Sequence, residues 1–125
     1  MRDELGKPED LKTRTKRFAL SVIRLYSSLP KKTEPQIIGK QLFRSGTSVG
    51  AHYREAVRSR SDAEFISKLE GGLQELEESI YWMELLVESR IIKVEKLEEL
   101  MNEANELTAI LVSCVKNTKQ RKSRK

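Results

Sequence analysis

The sequence has one cysteine and one histidine in 125 residues. A lone thiol cannot close an intrachain disulfide, which excludes a disulfide scaffold. One Cys and one His also fall short of a structural zinc site. Aromatic residues make up only 6% of the chain, so base stacking is not expected. No apolar run approaches the roughly 18 residues a membrane-spanning helix needs. The opening MRDELGKPED holds no apolar signal region. A cytoplasmic protein without membrane contact is expected. No strand pattern and no internal repeat are visible. There is no glycine-rich phosphate loop, because Gly46 and Gly50 fall inside a helical pattern rather than between a strand and a helix.

What the chain does have is charge, unevenly placed. Residues 1–60 carry 14 Lys and Arg against 6 Asp and Glu, residues 61–115 carry 4 against 13, and residues 116–125 carry 6 against none. Two readings stay open. Basic and acidic helices pair within the fold, or part of the basic surface faces a polyanion such as RNA or DNA.

Hydrophobic periodicity predicts four helices and one domain. The first runs from about Leu11 to Leu29 and is stopped by Pro30. The second begins near Pro35 and runs to about Val57. Ser61 followed by Glu64 is a capping-box pattern that starts the third. In the third, Ile66, Leu69, Leu73, Leu76, Ile80, Met83 and Val87 form an unbroken heptad seam, and Gly71–Gly72 predicts close approach of another backbone. The fourth runs from about Val94 to Lys116. Short connections imply antiparallel neighbours. The expected organisation is a flexible N-terminus over residues 1–10, an all-α, up-down-up-down antiparallel four-helix bundle over 11–116 and a disordered basic tail over 117–125.

The second helix is too apolar for one core. Ile38, Leu42, Val49 and Ala56 share one arc, and Phe43, Gly50 and Val57 share a second at seven-residue spacing. Together they cover about half the circumference, wider than the roughly 100° stripe a single core needs. Trp82 and Leu86 point away from the third helix's seam, and an aromatic–aliphatic pair of this kind is favoured in interfaces. Phe43, Gly50, Val57, Trp82 and Leu86 are therefore expected at a homo-oligomer interface.

Lys40, Arg44, Arg54 and Arg58 share one face of the second helix, opposite its main apolar arc. Arg14, Arg17 and Arg24 are read as grouped on the first helix, opposite Phe18 and Val22. Glu70, Glu77, Glu84 and Glu88 line up along the border of the third helix's seam. These acids and bases either pair across helices or leave a basic ridge for phosphates.

The Glu row raises the di-metal chemistry of some bundles, which uses Glu-x-x-His pairs. The one histidine, His52, sits on the second helix with Tyr53 and Arg54, away from that row, and no Glu-x-x-His occurs. Cys114 falls in an apolar region and reads as an inert core thiol rather than the partner of His52. No enzyme, metal, cofactor or small-molecule substrate is expected.

Several motifs carry a family resemblance. They are Gln41-Leu42-x-Arg44-Ser45-x-Thr47-Ser48-Val49-Gly50-Ala51, then Glu55-Ala56, then Ser61-x-x-x-Phe65-x-x-Lys68-Leu69, and Glu77 leading into Tyr81-Trp82-x-Glu84-Leu85-Leu86. With the Leu29-Pro30 stop, this pattern over about residues 15–90 resembles the 23S ribosomal RNA intervening-sequence proteins, also called S23-type proteins. The resemblance implies a small bacterial cytosolic bundle that assembles as a homopentamer around a central channel, with RNA or DNA as the suggested ligand. The chain departs from the family pattern at His52, where Asn is frequent, and at Gly71–Gly72, where Ala is frequent.

The function expected is nucleic-acid binding, rRNA among the candidates, through Arg14, Arg17, Arg24, Lys40, Arg44, Arg54, Arg58 and the tail residues Lys119, Arg121, Lys122, Arg124 and Lys125. The alternative is a structural or adaptor bundle whose partner is another protein.

Overall fold

A computed structural model describes residues 10–123. They form four α-helices, α1 Leu11–Ser28, α2 Thr33–Val57, α3 Asp62–Glu88 and α4 Val94–Ser123, and no strand occurs among the described residues. Of the flexible segment expected over residues 1–10, Asp10 is described, as the cap of α1, and residues 1–9 lie outside the described residues, as do Arg124, Lys125 and the side chain of Lys122.

The helix ends follow from local chemistry. Asp10 caps α1, its carboxylate accepting from the Lys12 N–H at 3.1 Å. Pro30 bars continuation. Gln36 then bridges the α1–α2 turn, accepting from the Tyr26 hydroxyl at 2.9 Å and donating to the Pro30 carbonyl at 3.0 Å. Ser61 caps α3 by accepting from the Glu64 N–H at 3.1 Å. The α3–α4 turn passes through Arg90, whose φ of 64° lies in the left-handed region, and the Ile91 and Ile92 N–H groups donate to the Leu86 carbonyl at 3.0 and 3.1 Å.

Consecutive helices pack on one another, most extensively α2 on α3, while α1 and α4 approach least and the Cα atoms of the diagonal pairs stay more than 8 Å apart. Across α1 and α2, Leu29 and Tyr26 face Gly39, Val22 faces Gly46, and Thr15 faces Gly50. A Cβ on Gly46 would come within 2.8 Å of Val22 Cγ2, so the small residue here is what lets the two helices close. Between α2 and α3 the buried hydroxyls of Ser45 and Ser79 meet at 2.8 Å, Arg44 reaches Glu75 at 3.5 Å, and Lys68 reaches Glu55 at 3.1 Å. Between α3 and α4, Lys119 pairs with Glu70 at 3.5 Å and Arg121 with Asp62 at 3.3 Å.

The core is built from Phe18 and Val22 of α1, Leu42, Val49 and Ala56 of α2, Leu69, Leu76, Met83 and Leu86 of α3, and Leu97, Ala104, Leu107 and Leu111 of α4. On α3 this corrects the sequence reading. Ile66, Leu69, Leu76 and Met83 of the expected seam are buried, but the buried line also takes in Gly72, Ser79 and Leu86, while Leu73, Ile80 and Val87 flank it half-buried. Ser79 and Gly72 lie seven and fourteen residues before Leu86 and carry no hydrophobic signal, so the line through Leu86 is invisible to an apolar-residue count. Leu86, expected at an oligomer interface, is 0% exposed. Gly50, expected there too, is buried against Thr15 of α1.

The fourth helix corrects a second expectation. It does not end near Lys116 in a disordered tail but continues to Ser123. Thr118 is buried, and its hydroxyl donates to the Cys114 carbonyl at 2.8 Å. Lys119 and Arg121 find acids on α3. Polar residues extend this helix because α3 supplies a partner for them.

Candidate nucleic-acid interface

α2 presents an outward row, Lys40, Arg44, Thr47, Ala51, Arg54 and Arg58, at alternating four- and three-residue steps. Lys40, Arg44, Ala51, Arg54 and Arg58 are exposed. The row spans about 27 Å at 1.5 Å per residue. Its middle is smooth, since Thr47 turns its hydroxyl back to the Phe43 carbonyl at 2.7 Å and Ala51 has no side chain to speak of. Lys40, Arg54 and Arg58 make no ion pair among the described residues, so their charges face solvent.

Arg44 differs from them. Its guanidinium hydrogen-bonds Glu78 and lies 3.5 Å from Glu75. The hydrogen bond to Glu78 is the main cause that raises the Arg44 pKa. On Glu78, partial burial pushes the carboxyl up, but the hydrogen bond from Trp82 Nε1 at 3.2 Å, the hydrogen bond from Arg44 and that residue's charge together hold it below the usual carboxylate range. Arg44 is thus a paired cation at the edge of the row.

The first helix does not supply the expected triad. Arg14 is 2% exposed and packed inside, with Nε and Nη2 donating to the two oxygens of Glu103 at 3.0 and 2.6 Å and Nη2 lying 3.3 Å from Glu106. The reason is the four-residue step. Arg14 precedes Phe18 by one turn and Phe18 precedes Val22 by one turn, so Arg14 shares their inward face rather than opposing it. Arg17 is exposed at the rim of the groove between α1 and α4 and has an interaction of its own. Arg24 is exposed and donates to the Ser21 hydroxyl at 3.3 Å. Lys119 and Arg121 are exposed but each sits beside an acid of α3.

Of the residues expected at an oligomer interface, Val57 is 62% exposed. Phe43 is partly covered by Tyr26, whose ring meets it edge-on at 5.4 Å. Trp82 is half-buried and meets Tyr81 edge-on at 5.0 Å. Further exposed apolar side chains are Leu20, Ile37, Tyr81, Val94 and Val112.

His52 lies at the α2–α3 boundary. Its ring fills the space over Gly71, where a Cβ would stand 2.8 Å from Nδ1, and Nδ1 has no hydrogen-bond partner among the described residues. Nε2 is 3.8 Å from Glu75, an acid outside the Glu70/Glu77/Glu84 row. Among the described residues no group of three or more His, Cys, Asp or Glu side chains is placed to hold a metal ion. Burial pushes the half-buried Cys114 thiol up, away from the reactive thiolate. No helix among the described residues is long and apolar enough to cross a membrane.

Sequence reasoning found the α2 row but missed Glu75 and Glu78, the acids that pair Arg44 within it, and Glu103, the acid that buries Arg14 of α1. Their signal was positional. Glu75, Glu78 and Trp82 recur at three- and four-residue steps on the α3 face turned toward α2.

No curated protein matches the chain. A solved structure of a protein of unknown function from the S23 ribosomal protein family of Bacteroides thetaiotaomicron superposes with a TM-score of 0.81 at 37% identity, over 86% of this chain and 99% of that one. The family model described as 23S rRNA-intervening sequence protein matches residues 9–113. With a match over most of its length and a close structural counterpart, this chain belongs to the 23S rRNA-intervening sequence protein family.

Proposed function

We propose that the protein is a non-enzymatic, homo-oligomeric bundle of the cytoplasm that binds nucleic acid through the outer row of α2. The observation that carries this reading is the set Lys40, Arg54 and Arg58, exposed on one helical face with no acid paired to them among the described residues. Such a row suits phosphates. It supplies charge without base-reading or stacking groups, so affinity is salt-dependent and weakly sequence-selective. Arg17, Arg44 and the residues beyond Lys119 add secondary contacts. Arg14 is left out of the set because its charge is buried with Glu103.

The inter-helix pairings support an up-down-up-down course. Positions rise along α2 as they fall along α1, from Leu29–Gly39 to Thr15–Gly50, and the same inversion relates Arg44–Glu78 to Glu55–Lys68. Exposed Val57 and Phe43 favour self-association, with a pentamer as the stoichiometry the family resemblance implies. The same exposed side chains favour a second reading, an adaptor bundle that docks another protein.

Light-scattering mass with and without a structured RNA tests the proposal. A gain of RNA mass at low salt that disappears at high salt is expected. No gain at any salt would move the function to the protein-adaptor reading.

A further inference from the structure

The outward stripes of α1 and α3 carry matching patterns of opposite charge. On α1, Lys16, Leu20 and Arg24 follow one another at four-residue steps, all exposed, with Leu20 retaining 44% of its surface. On α3, Glu77, Tyr81, Glu84 and Glu88 are all exposed, with Tyr81 retaining 52%. One stripe reads base, aliphatic, base. The other reads acid, aromatic, acid. At 1.5 Å per residue Lys16 and Arg24 stand about 12 Å apart along the axis and Glu77 and Glu84 about 10 Å apart, each pair bracketing its apolar centre.

A lone exposed leucine or tyrosine needs no explanation. The bracketing does, because these charges are not used inside the molecule. Lys16, Glu77, Glu84 and Glu88 make no ion pair among the described residues, and Arg24 bonds only Ser21. Nor do the two stripes meet within one chain, since α1 and α3 are diagonal in the bundle, with their Cα atoms more than 8 Å apart.

We infer that the α1 stripe of one copy docks on the α3 stripe of a second copy, with Leu20 over Tyr81 and Lys16 and Arg24 against Glu77 and Glu84. This deepens, and rests on, the homo-oligomer reading, and it leaves the α2 row free for phosphates. Like-with-like docking is disfavoured on both sides, because α1 on α1 sets base against base and α3 on α3 sets acid against acid. The contact therefore joins two different patches. A contact of that kind is heterologous, so it builds a closed ring or an open array rather than a two-fold dimer. The centre is apolar and the flanks are charged, as in protein interfaces generally.

The test is the light-scattering mass of four proteins at micromolar concentration, with circular dichroism as the check on folding. They are the wild type, the half-swap Lys16→Glu/Arg24→Glu, the half-swap Glu77→Lys/Glu84→Lys, and the full swap carrying all four changes. All four positions are exposed, so helicity is expected to be unchanged. The inference predicts an oligomeric wild type, loss of assembly in each half-swap, and recovery of the wild-type mass in the full swap. Half-swaps that keep the wild-type mass would overturn this interface while leaving the homo-oligomer reading in place. A full swap that stays dissociated would overturn the pairing. A monomeric wild type would overturn both readings. As a second measurement, the wild-type mass is expected to fall as salt rises from 50 mM to 1 M, because the flanking charges are screened. A mass unchanged over that range would contradict the charged flanks.

Discussion

Arg14 near the start of α1 and Glu103 in the middle of α4 form a bidentate ion pair, with N···O distances of 3.0 and 2.6 Å, across the two helices that otherwise touch least. The pair pins a thin seam. The Glu103 hydrogen bond is the main cause that raises the guanidinium's pKa, even against the opposing effect of burial. Removing one partner leaves a buried charge uncompensated, which typically costs about 3–5 kcal/mol. Arg14→Ala should therefore lower the unfolding free energy measured by urea denaturation by that amount. It should leave the salt dependence of RNA binding unchanged, which separates its structural role from a phosphate contact.

Leu86 gives the second test of core against interface. It is 0% exposed, and its carbonyl receives the two N–H groups that close the α3–α4 turn. Leu86→Ala should cost about 2–5 kcal/mol, as large-to-small changes in a packed core do. Chemical denaturation at two protein concentrations checks the origin of the loss. A loss that is equal at both concentrations fits a core residue, and one that depends on concentration would fit an interface.

Glu78 sets a pH dependence. Its carboxyl titrates below the usual range in the folded chain, because the Trp82 and Arg44 hydrogen bonds and the Arg44 charge outweigh burial. A depressed folded pKa adds stability that is fully present above the unfolded value, about 4.3 for Glu. That stability is lost as pH falls through the lower folded value. Thermal melts from pH 7 to pH 3 should show a steeper acid loss for the wild type than for Glu78→Gln. Parallel curves would mean that the Arg44–Glu78–Trp82 cluster adds no stability.

Arg90 is the one non-glycine residue with positive φ among those described, at 64°. A side chain in that region costs roughly 1–2 kcal/mol, and glycine carries no such cost. Arg90→Gly should raise the melting temperature while the α3–α4 turn keeps its shape. A lower melting temperature would mean that the arginine side chain has a stabilising partner worth more than the strain.

Much of this architecture is legible in the sequence where it rests on local chemistry. Pro30, the Ser61–Glu64 cap and the α2 periodicity mark helix ends and faces within one or two residues. What is not legible depends on the partner across a seam. Gly72 and Ser79 hide the line that ends at Leu86, because smallness rather than hydrophobicity lets them be buried. The burial of Arg14 requires Glu103, 89 positions away. The helical continuation through Thr118 requires the acids of α3. The α2 row was found because exposure there follows from the opposite face being apolar. Which of its cations are paired was not, since Glu75 and Glu78 belong to another helix.

The proposed role of Lys40, Arg54 and Arg58 is to hold phosphates. Its most direct test is the affinity for a structured RNA, followed against salt for the wild type and for Lys40→Glu/Arg54→Glu/Arg58→Glu. Each phosphate contact contributes roughly one to the slope of log affinity against log salt. A steep wild-type slope is expected, flattening by roughly three in the variant, with helicity and assembly mass unchanged. An equal slope in the two proteins, or no binding by the wild type at low salt, would contradict it.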